Sequence, residues 1–326
     1  MRFSSKSSLG AYRTYAIFLL VVFMLPIFVT SKYFLIVLIF CGIYTIIAVG
    51  YSIFFGYAGQ ISLGHAAFYG LGAYCSGVLT VKFGFTPWPA LGVGILLTSF
   101  ASLVIGIPSL KLKGHYLAMA TLGFGIIVQI LFIELDSLTE GPSGLVGIPG
   151  ITFFGIPMNT DLRYYYFVWI FALLIIVLSI NLVDSRIGRA LRALNMKETA
   201  AKAMGVNTDK HKIQVFVLSA IYASLAGSLY THYITFLSPE GFGFHFSILV
   251  LIMVAFGGIG SIWGGVIGAI TMTILPELLR AYKDYDIIVY GTILIVCMMF
   301  MPKGIAGLLS TIWGKFKGSG QREISG

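Results

Sequence analysis

Two long stretches of this chain carry no charge at all, and they set the reading of the rest. From Tyr33 to Val81 there is no Lys, Arg, Asp or Glu in 49 residues, more than twice the roughly 20 that one helix needs to cross a bilayer. The run predicts two passes, separated at Gly56-Tyr57-Ala58-Gly59-Gln60. A glycine-rich break at membrane depth is tolerated only where protein or a water-filled cavity satisfies its backbone. After it, Gln60 to His65 opens a helix on which Ala66, Gly70, Ala73 and Gly77 form a stripe at i, i+4, i+7 and i+11, the small-residue spacing that lets another helix come close. The second run, Gly241 to Pro276, has 36 uncharged residues and is cut by Gly257-Gly258-Ile259-Gly260-Ser261 and Gly264-Gly265. It is tight for two full crossings. It predicts either two short passes joined at the cytoplasmic side or a re-entrant pair.

Six further apolar segments run from Thr14 to Thr30, Trp88 to Ile107, His115 to Ile133, Tyr164 to Val183, Ile213 to Leu237 and Ile287 to Met301. Ala220, Ala223 and Gly227 make a second small-residue stripe in the fifth of them. The pattern is that of an all-α polytopic membrane protein with about ten transmembrane helices, some short or glycine-broken. Its transmembrane part is 14–301, between an N-terminal tail, 1–13, and a C-terminal tail, 302–326. The basic start followed by an apolar run resembles a secretory signal, but no small-x-small site follows and many spans do, so the run is read as the first span.

Polar residues orient these spans. Asp184 to Lys212 is the one polar island, with seven basic residues (Arg186, Arg189, Arg192, Lys197, Lys202, Lys210, Lys212) against three acidic ones. Short loops rich in Lys and Arg stay in the cytoplasm. Lys111 and Lys113 mark a second cytoplasmic loop, and Lys303, Lys315, Lys317 and Arg322 place the C-terminal tail on the same side. Both termini are then cytoplasmic. The loop 134–163 has four acidic residues against one Arg and several Gly and Pro turn signals, and is read as external, with Tyr282 to Asp286 on the same side.

Within the island Ile187, Leu191 and Leu194 fall at i, i+4 and i+7, while Arg186, Arg189 and Arg192 lie off that stripe, an amphipathic helical pattern. Asn195 with Glu198 has the form of a capping box that starts a second short helix, and Gly205 is placed to end it. Two short helices with a bend at Asn195 are expected. The pair could be a platform that a soluble partner grips, or an ordinary basic loop lying along lipid headgroups.

Composition narrows the class. With 58% hydrophobic and 10% charged residues among 326 and a mean hydropathy of +0.95, the chain cannot be a soluble domain. The net charge of +9 sits in short loops and tails, as topology requires, which removes nucleic acid as a partner. Cys41, Cys75 and Cys297 lie in apolar runs without metal-ligand spacing and are read as small core residues. There is no GxxxxGK[ST] phosphate loop, no HExxH and no GxSxG, so an enzyme reading finds no foothold and any ATP must be bound elsewhere. His65 is the ionisable group most clearly inside a span; it is either functional or a neutral imidazole bonded locally. His115, His232 and His245 are expected at hydrated span ends, and Glu277 at the external end of its span.

Glycine-interrupted apolar segments in both halves point to a substrate path between repeats, with Gly59, Gln60, Ser62, His65, Gly257 and Gly260 as its candidates; tight helix packing accounts for about half of such glycines. A helix N-terminus at Gln60 would favour a carboxylate.

Three blocks carry a resemblance: FGYAGQISLGHAAFYGLGAY (55–74), GPSGLVGIP (141–149) and SRIGRALRALNMKETAAKAMGVNTDKHKIQVFVLSAIYASLAGSLY (185–230), with AFGGIGSIWGGVIGA (255–269) in support. They resemble the LivM-type subunit of the LivH/LivM permease family of branched-chain amino-acid ABC importers, over about residues 33–308. The resemblance implies a multi-pass protein of the bacterial inner membrane, paired with a second, homologous permease subunit as a heterodimer. It further implies two cytoplasmic ATPase subunits that bind ATP and Mg, and an external solute-binding protein; no cofactor is expected in this chain. Carried over by position, Arg189, Ala190, Ala193, Glu198, Ala200, Ala201, Met204 and Gly205 fall in the segment that couples to the ATPase, and Arg186 and Arg192 belong to the same helix face. Asn195-Met196-Lys197 departs from relatives that carry more acidic residues there. Leucine, isoleucine and valine suit a glycine-rich lining with few polar groups, but so do urea and short amides. An ion-coupled secondary transporter would need several charged residues in the spans.

Overall fold

The computed structural model describes residues 6–28, 31–112, 114–153 and 155–279, together with Thr292. Lys113, Cys297, the segment 282–286, all of 287–301 but Thr292, and the cations of the C-terminal tail lie outside the described residues.

The chain is a succession of helices: α1 (Lys6–Phe28), α2 (Lys32–Tyr51), α3 (His65–Val81), α4 (Pro87–Ser109), α5 (His115–Glu134), the single turn α6 (Asp136–Thr139), α7 (Asp161–Asp184), α8 (Arg186–Met196), α9 (Glu198–Ala203), α10 (Thr208–Ile234), α11 (Phe244–Gly257) and α12 (Ile262–Leu279). Four two-residue strands form two small ribbons, β1 (Leu145–Val146) with β4 (Phe236–Leu237) and β2 (Thr152–Phe153) with β3 (Ile156–Pro157), both antiparallel. Among the described residues five helices are long and apolar enough to cross a membrane: α2 with its continuation to Tyr57, α4, α5, α7 and α10. The pair α11–α12, bent by 119° at its glycines, makes a sixth if counted as one span. α3, at 17 residues, is shorter.

α2 lies at the centre. From Ile39 to Phe54 its side chains are buried almost all round, as expected of a helix that is apolar on every face. α7 packs on it where Gly42 faces Val168 and Trp169, and the Trp169 indole donates to the Leu38 carbonyl at 3.1 Å. α12 packs on its far end, where a Cβ on Gly265 would stand 2.4 Å from Ser52 Oγ.

A tight crossing joins α3 and α10. A Cβ on Gly72 would lie 2.2 Å from the Ser224 carbonyl oxygen, and one on Gly227 would lie 2.0 Å from that of Tyr69; no side chain larger than hydrogen fits either position. The stripe expected on α3 therefore serves a different purpose. Ala73 does meet α10, but Gly70 makes room for Phe132 and Phe242, and Gly77 for Leu145 and Leu237. The face that approaches α10 is read from Gly72, one position beside the stripe.

The molecule has two distinct ends. One gathers α8, α9 and the breaks after α2 and α11. The other holds the loop 134–163, which folds back onto α3 and α10 through the β1–β4 pair. There His232 corrects an expectation: far from being hydrated, it is 2% exposed, with Nε2 bonded to Ser76 Oγ at 2.8 Å and Nδ1 to the Pro149 carbonyl at 2.7 Å. At the same end Tyr33 donates to Glu277, as its expected position at that end of the span requires.

Candidate functional site

α8 forms because its stripe has something to bury. Gly188, Leu191 and Leu194 face the bundle, and Ser185 caps the helix by accepting the Ile187 amide at 3.1 Å, an N-cap bond. The turn into it is too tight for any other residue at Gly188, where a Cβ would lie 1.9 Å from the Val183 carbonyl oxygen. The expected bend at Asn195 is displaced by two residues: α8 runs through Met196, and the chain turns at Lys197 (φ −163°, ψ 106°). No capping box forms. Asn195 stays helical and bonds elsewhere, and the Glu198 carboxylate is claimed by lysines. Gly205 does end α9, in the left-handed region at φ 79°.

Glu198 lies between two ammonium groups, 2.8 Å from Lys212 Nζ and 3.3 Å from Lys202 Nζ; Lys202 also meets Asp209 at 3.2 Å. Lys212 is 2% exposed, and the Glu198 carboxylate is its ion-pair partner. Burial by itself would raise the Glu198 carboxyl, but the hydrogen bonds and charges of Lys212 and Lys202 prevail and hold it below its ordinary value. The Asp209 and Glu198 hydrogen bonds in turn push the Lys202 ammonium up. A cleft of about 360 Å³ opens here between the end of α4 and the starts of α9 and α10, bounded by Lys111, Glu198, Lys202 and Asp209.

The ten coupling candidates do not share one role. Arg186, Arg189, Arg192, Ala193, Ala200, Met204 and Gly205 are exposed, Ala190 and Glu198 half-buried, and Ala201 buried. Arg189 and Arg192 fold back: their guanidinium groups donate to the Asp184 and Val183 carbonyls at 3.2 and 3.1 Å, satisfying the free carbonyls at the end of α7. Two large apolar side chains point outward from this polar surface, Met196 at 89% exposed and Met204 at 84%. Met196 carried no signal in the sequence, since it lies off the apolar stripe.

The path candidates fall into two groups. Gly59 and Gly260 are exposed at the same end as α8, and Gly257 is buried against the Gly264 carbonyl. Ser62 and His65 are sealed in the core. His65 Nε2 bonds Ser219 Oγ at 2.6 Å and Nδ1 bonds Ser62 Oγ at 3.2 Å, with Tyr51, Phe54, Phe68 and Phe216 around the ring. The imidazole thus ties α10 to the segment before α3. Ser219 was the partner that no spacing in the sequence announced. Gln60 folds onto its own segment, donating from Nε2 to the Ala58 carbonyl at 3.1 Å. The helix expected to open at Gln60 begins only at His65, and the Ala66 amide in its first turn already bonds Ser247 Oγ at 3.0 Å; the carboxylate-favouring terminus expected at Gln60 is not formed. Among the described residues no group of three or more His, Cys, Asp or Glu is arranged to hold a metal ion.

Comparison with known proteins gives a consistent result. The chain is 33% identical over 286 residues to the high-affinity branched-chain amino acid transport system permease protein LivM of Escherichia coli (strain K12), covering 81% of this chain and 67% of that one. It is 28% identical over 288 residues to the corresponding LivH protein of Salmonella typhimurium, covering 81% and 91%, and 28% identical over 284 residues to BraD of Pseudomonas aeruginosa, again covering 81% and 91%. No solved structure matches the chain. The family described as "Branched-chain amino acid transport system / permease component" matches residues 33–301, and the chain belongs to that family.

Proposed function

We propose that this chain is a transmembrane permease subunit of an ATP-binding-cassette importer for branched-chain amino acids, sitting in a bacterial inner membrane. It has no ATPase site of its own. Two cytoplasmic ATPase subunits, which bind ATP and Mg, dock on α8 and α9; a second, homologous permease pairs with it, and an external binding protein hands over the solute. On this reading the basic end is cytoplasmic, the loop 134–163 external, both termini are inside, and the crossings number about ten.

The observation that carries the docking assignment is the pair of exposed methionines, Met196 and Met204, on an otherwise polar element. Large flexible apolar side chains on a water-facing surface fit a partner's groove, whereas a loop lying on lipid headgroups would present lysine and arginine stems. Reversing Arg189 and Arg192 is the obvious variant but also removes the caps of α7. Met196→Glu with Met204→Glu tests docking alone. The ATPase subunits are expected to be lost on purification of this variant while its melting temperature stays within a few degrees of the parent; retained ATPases and coupled uptake would remove the docking role.

ATP binding closes the ATPase pair, the helices at 186–205 move with it, and the spans switch the side to which they open. The family name supports Leu, Ile and Val as cargo. Urea and short amides suit the same chemistry, and uptake competition among these solutes separates them.

A further inference from the structure

The two glycine breaks of the bundle, far apart in sequence, touch each other. α2 ends in a π-helical turn, Ser52–Tyr57, a form that often marks functional sites. A Cβ on Gly56 in that turn would lie 2.6 Å from the Gly260 amide nitrogen in the α11–α12 junction. With Gly265 seated on Ala48 and Ser52, the end of α2 and the start of α12 meet backbone to backbone. Only the small Ser52 hydroxymethyl group intervenes beside these backbone contacts, so displacing one element displaces the other.

One side chain of α8 hydrogen-bonds into this junction. Asn195 Nδ2 donates to the Gly56 carbonyl at 2.9 Å, across 139 positions of sequence. Its Oδ1 faces Gly59, where a Cβ would stand 2.4 Å away and where φ is +65°, a conformation that glycine adopts without strain. Among the described residues no other hydrogen bond runs from α8 or α9 to α2 or α12: Arg189 and Arg192 hold α7, and Glu198 holds α10. Asn195 is itself exposed, so the fold does not need its side chain as filling. Apolar contacts such as Leu191 and Leu194 can slide, but a hydrogen bond fixes distance and direction.

We propose that the Asn195 amide is a positioning residue for transport: the point at which α8 holds the Gly56–Gly59 break, so that a movement of the coupling helices reaches the end of α2 and, through the Gly56–Gly260 contact, the α11–α12 junction. The proposal rests on the assignment of α8 and α9 as the ATPase-docking element.

The test uses the assembled complex, with its second permease, ATPases and binding protein, in proteoliposomes, and reads labelled leucine taken up per ATP hydrolysed. Asn195→Asp keeps the shape of the side chain and removes the donor. It is expected to assemble, melt and hydrolyse ATP like the parent, with uptake per ATP reduced about five- to tenfold, the loss of one neutral hydrogen bond. Asn195→Gln, which keeps a donor on a longer arm, is expected to recover part of the loss. Gly56→Ala, which wedges the two breaks apart, is expected to uncouple as well, and the double variant to be no worse than the poorer single one, since both interrupt one connection. Parental uptake per ATP in Asn195→Asp, or losses that multiply in the double variant, would overturn the proposal. Loss of the ATPases from Asn195→Asp would overturn it too, by making Asn195 a docking residue. Failure of the unmodified chain to carry ATPases at α8 and α9 would be seen before any variant is made, and would remove the docking assignment and this proposal with it.

Discussion

Lys212 is nearly inaccessible to water, and its ammonium is balanced by one carboxylate, that of Glu198. Removing one partner of such a pair leaves a buried charge uncompensated, which costs of order 3 kcal/mol. Glu198→Gln is therefore expected to lower the melting temperature by several degrees, whereas Lys202→Ala, which removes an exposed ammonium, is expected to change it little. The pH dependence follows from the directions of the shifts. Glu198 is held below its ordinary 4.5, so its stabilising effect is present above that pH and is lost as pH falls through the lower folded value. Lys202 is held above 10.5, so its smaller effect is present below that pH and is lost as pH rises through the higher folded value. Melting temperature measured across pH should hold a plateau from about pH 5 to pH 10 and fall first on the acid side, and Glu198→Gln should flatten that acid limb. None of this was legible in sequence. Local pattern makes Glu198 a cap and a member of the coupling segment, and Lys212 one more loop cation, because the pairing joins α9 to α10 and depends on a turn at Lys197 that local pattern places at Asn195.

The helices themselves were legible, because apolar length and charged boundaries are local properties. α4, α5, α7 and α10 begin and end within a few residues of the expected segments. What the pattern did not show is which glycine faces which neighbour. The stripe through Gly70 and Gly77 has the correct spacing, but the α3–α10 crossing is made at Gly72 and Gly227, where backbone carbonyls lie 2.2 and 2.0 Å from any added Cβ. Several faces of a span are small and apolar at once, and only the partner helix decides among them. Gly227→Val is expected to cost about 3 kcal/mol or more by overpacking, seen as a loss of monodisperse protein in detergent. Gly123→Val, where the structure leaves open space, is the control and should be tolerated.

For the whole molecule, the class was fixed by composition and the family by three short blocks, while the arrangement of the candidate path was not. The glycines named from the two halves do converge, but at the end that carries α8, and His65 lies enclosed as a tie to Ser219. Both outcomes depend on contacts between segments more than 100 residues apart, which no window of sequence contains. In the proposed role this chain is driven, and the force comes from ATPases outside it. The deciding measurement is uptake of labelled leucine into proteoliposomes with and without the ATPase subunits. Uptake is expected only when the second permease, the binding protein, the ATPases and ATP are all present. Leucine entry by this chain without the ATPases, whether passive or along an ion gradient, would contradict it.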